Sequence, residues 1–139
     1  MRFCLPSFSI QSVSRCLAVT CVLAAGAAHA QVPPMRGEGA VRYVCGGIGS
    51  DESTAMRAAM KTHPLSLLFA RKDNAYLADV SVEIRGADGA PSVSLRADGP
   101  VCLIDLPAGR YDVQATSGGA TQKQAVTVDR TPKTADFRF

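Results

Sequence analysis

Residues whose types could do chemistry are few in this sequence and widely spaced. His63 is the one histidine after residue 30, and it lies beside Pro64. A serine nucleophile needs a histidine base that an acid holds in place, and the chain contains no Gly-x-Ser-x-Gly motif to present such a serine. We therefore interpret His63 as a surface or helix-terminal residue.

The acidic residues give no stronger signal of catalysis. Asp51 and Glu52 are adjacent, so their side chains diverge on a helix and do not converge on a substrate. The glycines of Gly46–Ser50 precede a predicted helix, but this segment lacks the Lys-Ser/Thr pair of a phosphate-binding loop. We interpret three other acidic residues as turn residues: Asp88, Asp98 and Asp105. The sequence thus predicts no catalytic, cofactor-binding or metal-binding residue, and no enzyme activity.

Two cysteines, Cys45 and Cys102, follow residue 30. An even pair in an exported chain predicts a disulfide, which would span 57 residues. A zinc site would need two further ligands, whereas this part of the chain has a single histidine. We expect both cysteines at strand ends on one end of the fold, where a bridge would hold the predicted helix against the sheets.

The first thirty residues have the pattern of a secretory signal peptide. Arg2 and Arg15 precede an apolar run that ends near Ala28, and Ala28-His29-Ala30 offers small residues at both cleavage-determining positions. The run is too short to span a membrane as a helix. We predict cleavage between Ala30 and Gln31 and a periplasmic or secreted protein, with no membrane span after cleavage.

Cleavage would change the charge of the chain. Removal of thirty residues from 139 leaves 109, and loss of Arg2 and Arg15 leaves 13 basic residues against 12 acidic ones. A net charge near +1 favours neither nucleic acid nor an anionic membrane as a partner. A chain of this length predicts one domain. We therefore divide the sequence into a signal peptide (1–30), a flexible segment (31–39) and one β-sandwich domain (40–139).

The mature chain begins with one strand and one helix. Val41, Tyr43 and Cys45 alternate in a first strand, which Gly46-Gly47 ends. Ser50 is the predicted cap of a short helix with acidic residues in its first turn, and Pro64 limits its length. Three residues fall on one face of this helix: Met56, Ala59 and Met60.

After Pro64 the apolar residues recur at every second position, with turn residues between the runs. This pattern predicts six or seven short strands in an antiparallel sandwich, with the terminal phenylalanines Phe137 and Phe139 in a last strand at a sheet edge. The alternating residues are Leu65, Leu67 and Phe69; Val80, Val82 and Ile84; Val93, Leu95 and Ala97; Tyr111, Val113 and Ala115; Val126 and Val128.

The segment from Asp105 to Tyr111 combines a strand end, a turn and an aromatic residue. Pro107 has the fixed φ that suits the second residue of a turn, and we expect a positive φ at Gly109. Tyr111 would then begin a strand, with its ring in the core and its hydroxyl bonded to backbone near the turn. We interpret these three residues as a structural corner.

This region resembles the carboxypeptidase regulatory-like domain. The resemblance covers residues 65–130 and depends on Ala78–Ile84, the Gly-Ala-Asp-Gly turn at Gly86–Gly89, and Leu106–Val113. It implies an all-β, seven-stranded, transthyretin-like (prealbumin-like) sandwich, to which this chain adds one short helix after its first strand. It also implies an accessory, folding or binding module without catalytic residues of its own.

Two functions follow as expectations: a non-catalytic interaction module with a protein partner, or a carbohydrate-binding module of the same fold. The second is disfavoured because sugars usually stack on exposed aromatic rings, and the chain has no Trp and three Tyr. A third possibility is a hydroxyisourate hydrolase of the transthyretin-related family. That family uses several histidines and a Tyr-Arg-Gly-Ser terminus, whereas this sequence finishes with Asp136-Phe137-Arg138-Phe139. The oligomeric state is not predicted.

Overall fold

The structure is a computed structural model that describes residues 31–139, which form nine β-strands and one α-helix in two sheets. The first sheet has the strand order β1-β2-β6-β3-β9, and the second has the order β5-β4-β7-β8. The predicted signal peptide and Ala30 lie outside the described residues. The elements are β1 (Arg36–Glu38), β2 (Val41–Gly46), α1 (Ser50–Ala59), β3 (Leu65–Ala70), β4 (Val80–Gly86), β5 (Val93–Ala97), β6 (Val101–Asp105), β7 (Gly109–Ser117), β8 (Ala120–Val128) and β9 (Lys133–Arg138).

The main core lies between the two sheets. Side chains at alternate positions of β2 to β9 point into it, because successive residues of a strand face opposite sides of the sheet. The rings of Phe69 and Phe137 stack within this core with their centroids 5.8 Å apart. Its buried members include the alternating residues predicted from the sequence, such as Leu67, Val82 and Val113.

A second, smaller core lies between α1 and the outer face of the first sheet. Met56 is fully buried there against Val44, Val101 and Leu103. β6 therefore has apolar partners on both of its faces, which explains why its apolar residues are consecutive and do not alternate. The result is a layered molecule of helix, five-stranded sheet and four-stranded sheet.

The strand count and pairing differ from the prediction of seven antiparallel strands. Residues 36–38, within the segment predicted to be flexible, form β1 because the chain reverses at Gly39 and pairs Arg36 with Tyr43 of β2. β9 pairs with β3 in parallel, with Phe69 opposite Phe137, so the first sheet is mixed. β9 does lie at a sheet edge, as the sequence predicts.

The start of the helix also differs from its prediction. Gly49 is the N-cap residue, with φ 94°, and no side chain caps the helix; Ser50 is already the first helical residue. The positive φ at Gly49 turns the chain into the helix before Ser50 can take the cap position. The Oε1 of Glu52 accepts a hydrogen bond of 2.8 Å from the N–H of Gly47, so it connects the first turn of the helix to the loop before it. Within residues 31–139 no helix is long and apolar enough to cross a membrane.

Candidate functional site

The candidate site is a groove of about 460 Å³ on the side of the molecule where β2 lies beside β5. We call it the β2–β5 groove. The segment that precedes β1 forms one wall, β2 and the loop after it form the floor, and β5 borders the other side. Its lining includes Pro34, Met35, Tyr43, Cys45, Ile48 and Arg96.

The opposite side of the molecule is closed by side chains. Gln124 on β8 donates a hydrogen bond of 2.6 Å from Nε2 to the backbone oxygen of Asp136 on β9. Gln122 donates to the backbone oxygen of Arg138 in the same manner. These two glutamines join the edge of the second sheet to the edge of the first, and they occupy carbonyl groups that an edge strand would otherwise leave free.

The lining of the β2–β5 groove combines apolar and charged side chains. Ile48 is 65% exposed and is one of the two exposed large apolar side chains of the described residues. The charged lining residues are of both signs: Arg36, Glu52, Arg96 and Asp98. Arg96 also forms an ion pair with Asp79, at 3.2 Å between Nε and Oδ1. Such a combination of apolar and charged side chains is typical of a protein-binding surface.

The disulfide between Cys45 and Cys102 is present, which confirms the predicted pairing. Both cysteines lie next to strand ends, as expected, and they are directly opposite each other on the neighbouring strands β2 and β6, with Cα atoms 4.1 Å apart. The bridge therefore joins two strands of one sheet and does not hold the helix. Cys102 is buried, whereas Cys45 is half-buried and lines the β2–β5 groove.

Tyr111 is buried in the main core, and its hydroxyl donates a hydrogen bond of 2.7 Å to the backbone oxygen of Pro107. Burial raises the pKa of the Tyr111 hydroxyl above its usual value. The positive φ predicted for Gly109 is wrong, since Gly109 is not among the residues with positive φ. Gly109 is the first residue of β7 and pairs with Val128 of β8, and this pairing requires an extended backbone.

His63 and Asp105 form a pair that the sequence did not predict. Nδ1 of His63 lies 2.7 Å from Oδ1 of Asp105, and the side chains are 19% and 37% exposed. Asp105 ends β6 and is not a turn residue; β3 runs antiparallel to β6 with Leu65 opposite Ile104, which brings the segment before β3 beside it. Among the described side chains no hydroxyl is bonded to this pair. We interpret it as a link between the loop after α1 and the sheet.

Tyr76 is the exposed aromatic residue of the described part of the chain, at 57% exposure. The guanidinium of Arg57 lies over its ring, with Cζ 4.9 Å from the centroid, and also contacts its hydroxyl. This contact fixes the orientation of the ring. Tyr43 is half-buried in the β2–β5 groove and Tyr111 is in the core, so Tyr76 is the tyrosine placed to stack on a ligand.

Within residues 31–139 no group of three or more His, Cys, Asp or Glu side chains is arranged to hold a metal ion. No protein-family model, curated protein or solved structure matches the chain.

Proposed function

We propose that the mature chain is an exported, non-catalytic β-sandwich module that binds another protein in the periplasm or outside the cell. The observation that carries this proposal is the β2–β5 groove, where the exposed side chain of Ile48 lies in one lining with Met35 and Tyr43 and with charged residues of both signs. A concave surface of apolar residues with polar groups around it has the composition of a protein-binding surface.

We also propose that the seven strands β3 to β9 correspond to a transthyretin-like sandwich of the carboxypeptidase regulatory-like type. Three of these strands are in the first sheet and four in the second. On this proposal β1, β2 and α1 are an addition to the shared fold. Residues of this addition supply most of the lining of the β2–β5 groove.

Export is tested by the N-terminus of the protein. Intact-mass analysis of material from the cell envelope should show a chain that begins at Gln31, because cleavage after Ala30 is predicted. Mature material that retains residues 1–30 would contradict export by a cleaved signal.

Partner binding is tested by site-specific photo-crosslinking in the exported protein. A photoreactive amino acid at Ile48 lies in the β2–β5 groove, and the same residue at Thr127 lies on the exposed face of β8 as a matched control. We expect a discrete crosslinked species from position 48, and we expect Ile48→Glu to abolish co-purification of the crosslinked protein. Equal crosslinking from both positions would overturn the proposal that the groove is the binding surface.

Carbohydrate binding is a second candidate, and the exposed ring of Tyr76 is the observation that favours it. Sugars stack on the faces of aromatic rings, and here Arg57 already covers Tyr76 on one side. A glycan array probed with the mature protein and with Tyr76→Ala tests it. Binding that disappears in Tyr76→Ala would establish the carbohydrate function, and an array without signal would reject it.

A further inference from the structure

β5 is an edge strand, and its free edge borders the β2–β5 groove. One hydrogen bond shows which backbone groups lie on that edge. The N–H of Ala87 donates to the backbone oxygen of Arg110 over 2.9 Å, where the β4–β7 ladder begins. Because hydrogen-bonded residues alternate in an antiparallel ladder, the N–H and C=O groups of Ser81, Glu83 and Arg85 point toward β7.

The intervening residues of β4 therefore point toward β5. Their partners are Val93, Leu95 and Ala97, whose backbone groups complete the β4–β5 ladder. The N–H and C=O groups of Ser94 and Arg96 consequently face away from β4, toward the free edge. Within the described residues neither of them forms a backbone hydrogen bond outside the strand ladders.

Both edges of the first sheet are protected. The glutamines of β8 occupy backbone oxygens of β9. At the other edge, continuation of the β1–β2 register places Pro34 opposite Cys45, and the prolines at positions 33 and 34 have no N–H to offer an added strand. β5 has neither kind of protection, and of the two edge strands of the second sheet, β5 and β8, it is the one that borders the β2–β5 groove.

We propose that β5 binds an extended peptide segment of a partner protein as an additional, fifth strand of the second sheet. This inference rests on the proposed function and names the kind of partner. The backbone of the segment would bond to the free N–H and C=O groups of Ser94 and Arg96, while alternate side chains enter the β2–β5 groove.

The lining defines the sequence of that segment. Side chains on its inner face would lie beside Leu95 and contact Tyr43 and Ile48, so they are apolar. Side chains on its outer face would lie beside Ser94 and Arg96, and the Arg96 side chain is 67% exposed although it pairs with Asp79. The groove lining also contains the acidic residues Glu52 and Asp98, so the outer side chains are polar without a preferred charge. The partner segment therefore alternates apolar residues with polar ones.

A matched pair of variants at Ser94 tests strand addition. The probe is a 12-residue linear peptide selected from a phage-displayed library against the mature protein and then labelled with fluorescein. Ser94→Pro removes the outward N–H without breaking the β4–β5 ladder, whereas Ser94→Ala keeps it. We expect Ser94→Pro to weaken peptide binding at least about tenfold and Ser94→Ala to change it less than about twofold, in fluorescence-anisotropy titrations.

A second measurement leaves the protein unchanged. A series of peptides is made, each with a single N-methylated backbone amide at a different position. Affinity should fall only where the methylated amide faces β5, so the loss of affinity should recur at every second position. Uniform tolerance of N-methylation, equal binding by Ser94→Pro, or a library that yields no binding peptide would each overturn strand addition. If peptide binding fails these tests but the crosslink from position 48 persists in Ser94→Pro, the proposal of a protein partner is retained and only the proposal of strand addition is rejected. Sedimentation that shows a dimer of the mature chain, lost in Ser94→Pro, would assign the edge to a second copy instead and also overturn it.

Discussion

The hydroxyl of Tyr111 donates a hydrogen bond of 2.7 Å to the backbone oxygen of Pro107, four residues earlier, while its ring is buried in the main core. The bond connects the turn between β6 and β7 to the strand that follows it. Since these two strands belong to different sheets, the bond fixes the point at which the chain crosses from one sheet to the other.

Tyr111→Phe should lower the free energy of unfolding by about 0.5–1.5 kcal/mol, because it removes this hydrogen bond and keeps the packing of the ring. Urea unfolding of the mature protein measures the difference. Tyr76→Phe is the matched control, since that hydroxyl is exposed and its one contact among the described residues is with the exposed side chain of Arg57. A loss in the control equal to that in Tyr111→Phe would show that the bond to Pro107 has no special contribution.

Stability should fall at alkaline pH, and Tyr111 should account for part of the fall. Burial raises the pKa of Tyr111 in the folded protein above the ordinary value of 10.0, so the folded state holds the proton more tightly than the unfolded state. The resulting stabilisation is fully present below the ordinary value and is lost as the pH rises through the folded-state pKa. The free energies of unfolding of wild type and Tyr111→Phe should therefore converge as the pH rises above 10. A difference that stays constant with pH would contradict the raised pKa of Tyr111.

The disulfide should contribute about 2–4 kcal/mol, since it closes a segment with a sequence separation of 57 residues. Cys45→Ala and Cys102→Ala should each lose a similar amount, and the double variant should be no worse than either, because the bond is lost only once. Urea unfolding measures all three. Thiol titration of unreduced protein checks the premise, and two reactive thiols per chain would show that the bridge does not form.

The sequence predicts those features that depend on a local residue pattern, or on a residue type with few members that could pair. Alternating residues such as Leu65 and Leu67 predict strands whose buried faces are correct, and two cysteines leave a single possible pair. The features it misses depend on strand register. β1 has three residues and no apolar alternation, and it forms because β2 provides a partner. The contact of His63 with Asp105 likewise requires the pairing of β3 with β6.

The β2–β5 groove depends on packing at a larger scale. Arg96 and Ile48 are far apart in sequence and meet only because the two sheets stack with β5 beside β2. No periodicity in either segment indicates that arrangement. The exposure of Ile48, just before a helix whose Met56 is fully buried, becomes significant only once the layers are known.

Substitution by alanine should affect the free energy of unfolding differently at Gly109 and at Gly86. A Cβ at Gly109 would lie 3.6 Å from the side chains of Ala90 and Tyr111, an ordinary contact, and its φ is not positive. A Cβ at Gly86 would lie 2.3 Å from the backbone oxygen of Ala90. We expect Gly109→Ala to change the free energy of unfolding by less than about 0.5 kcal/mol and Gly86→Ala to lower it by about 1–3 kcal/mol. Equal losses in thermal and urea unfolding would contradict this contrast.

Removal of the Ser66 hydroxyl should stabilise the protein. Ser66 is fully buried on the helix-covered face of β3, and its Oγ has no hydrogen-bond partner among the described residues. A buried hydroxyl without a partner costs about 1–3 kcal/mol, so Ser66→Ala should raise the free energy of unfolding by about 1 kcal/mol after the loss of one packed atom. Ser66→Thr is the matched control: it keeps the hydroxyl and adds a methyl group to a filled space, and we expect it to destabilise. Urea unfolding decides the matter, because a clear loss in Ser66→Ala would mean that the hydroxyl has a partner that stabilises the fold.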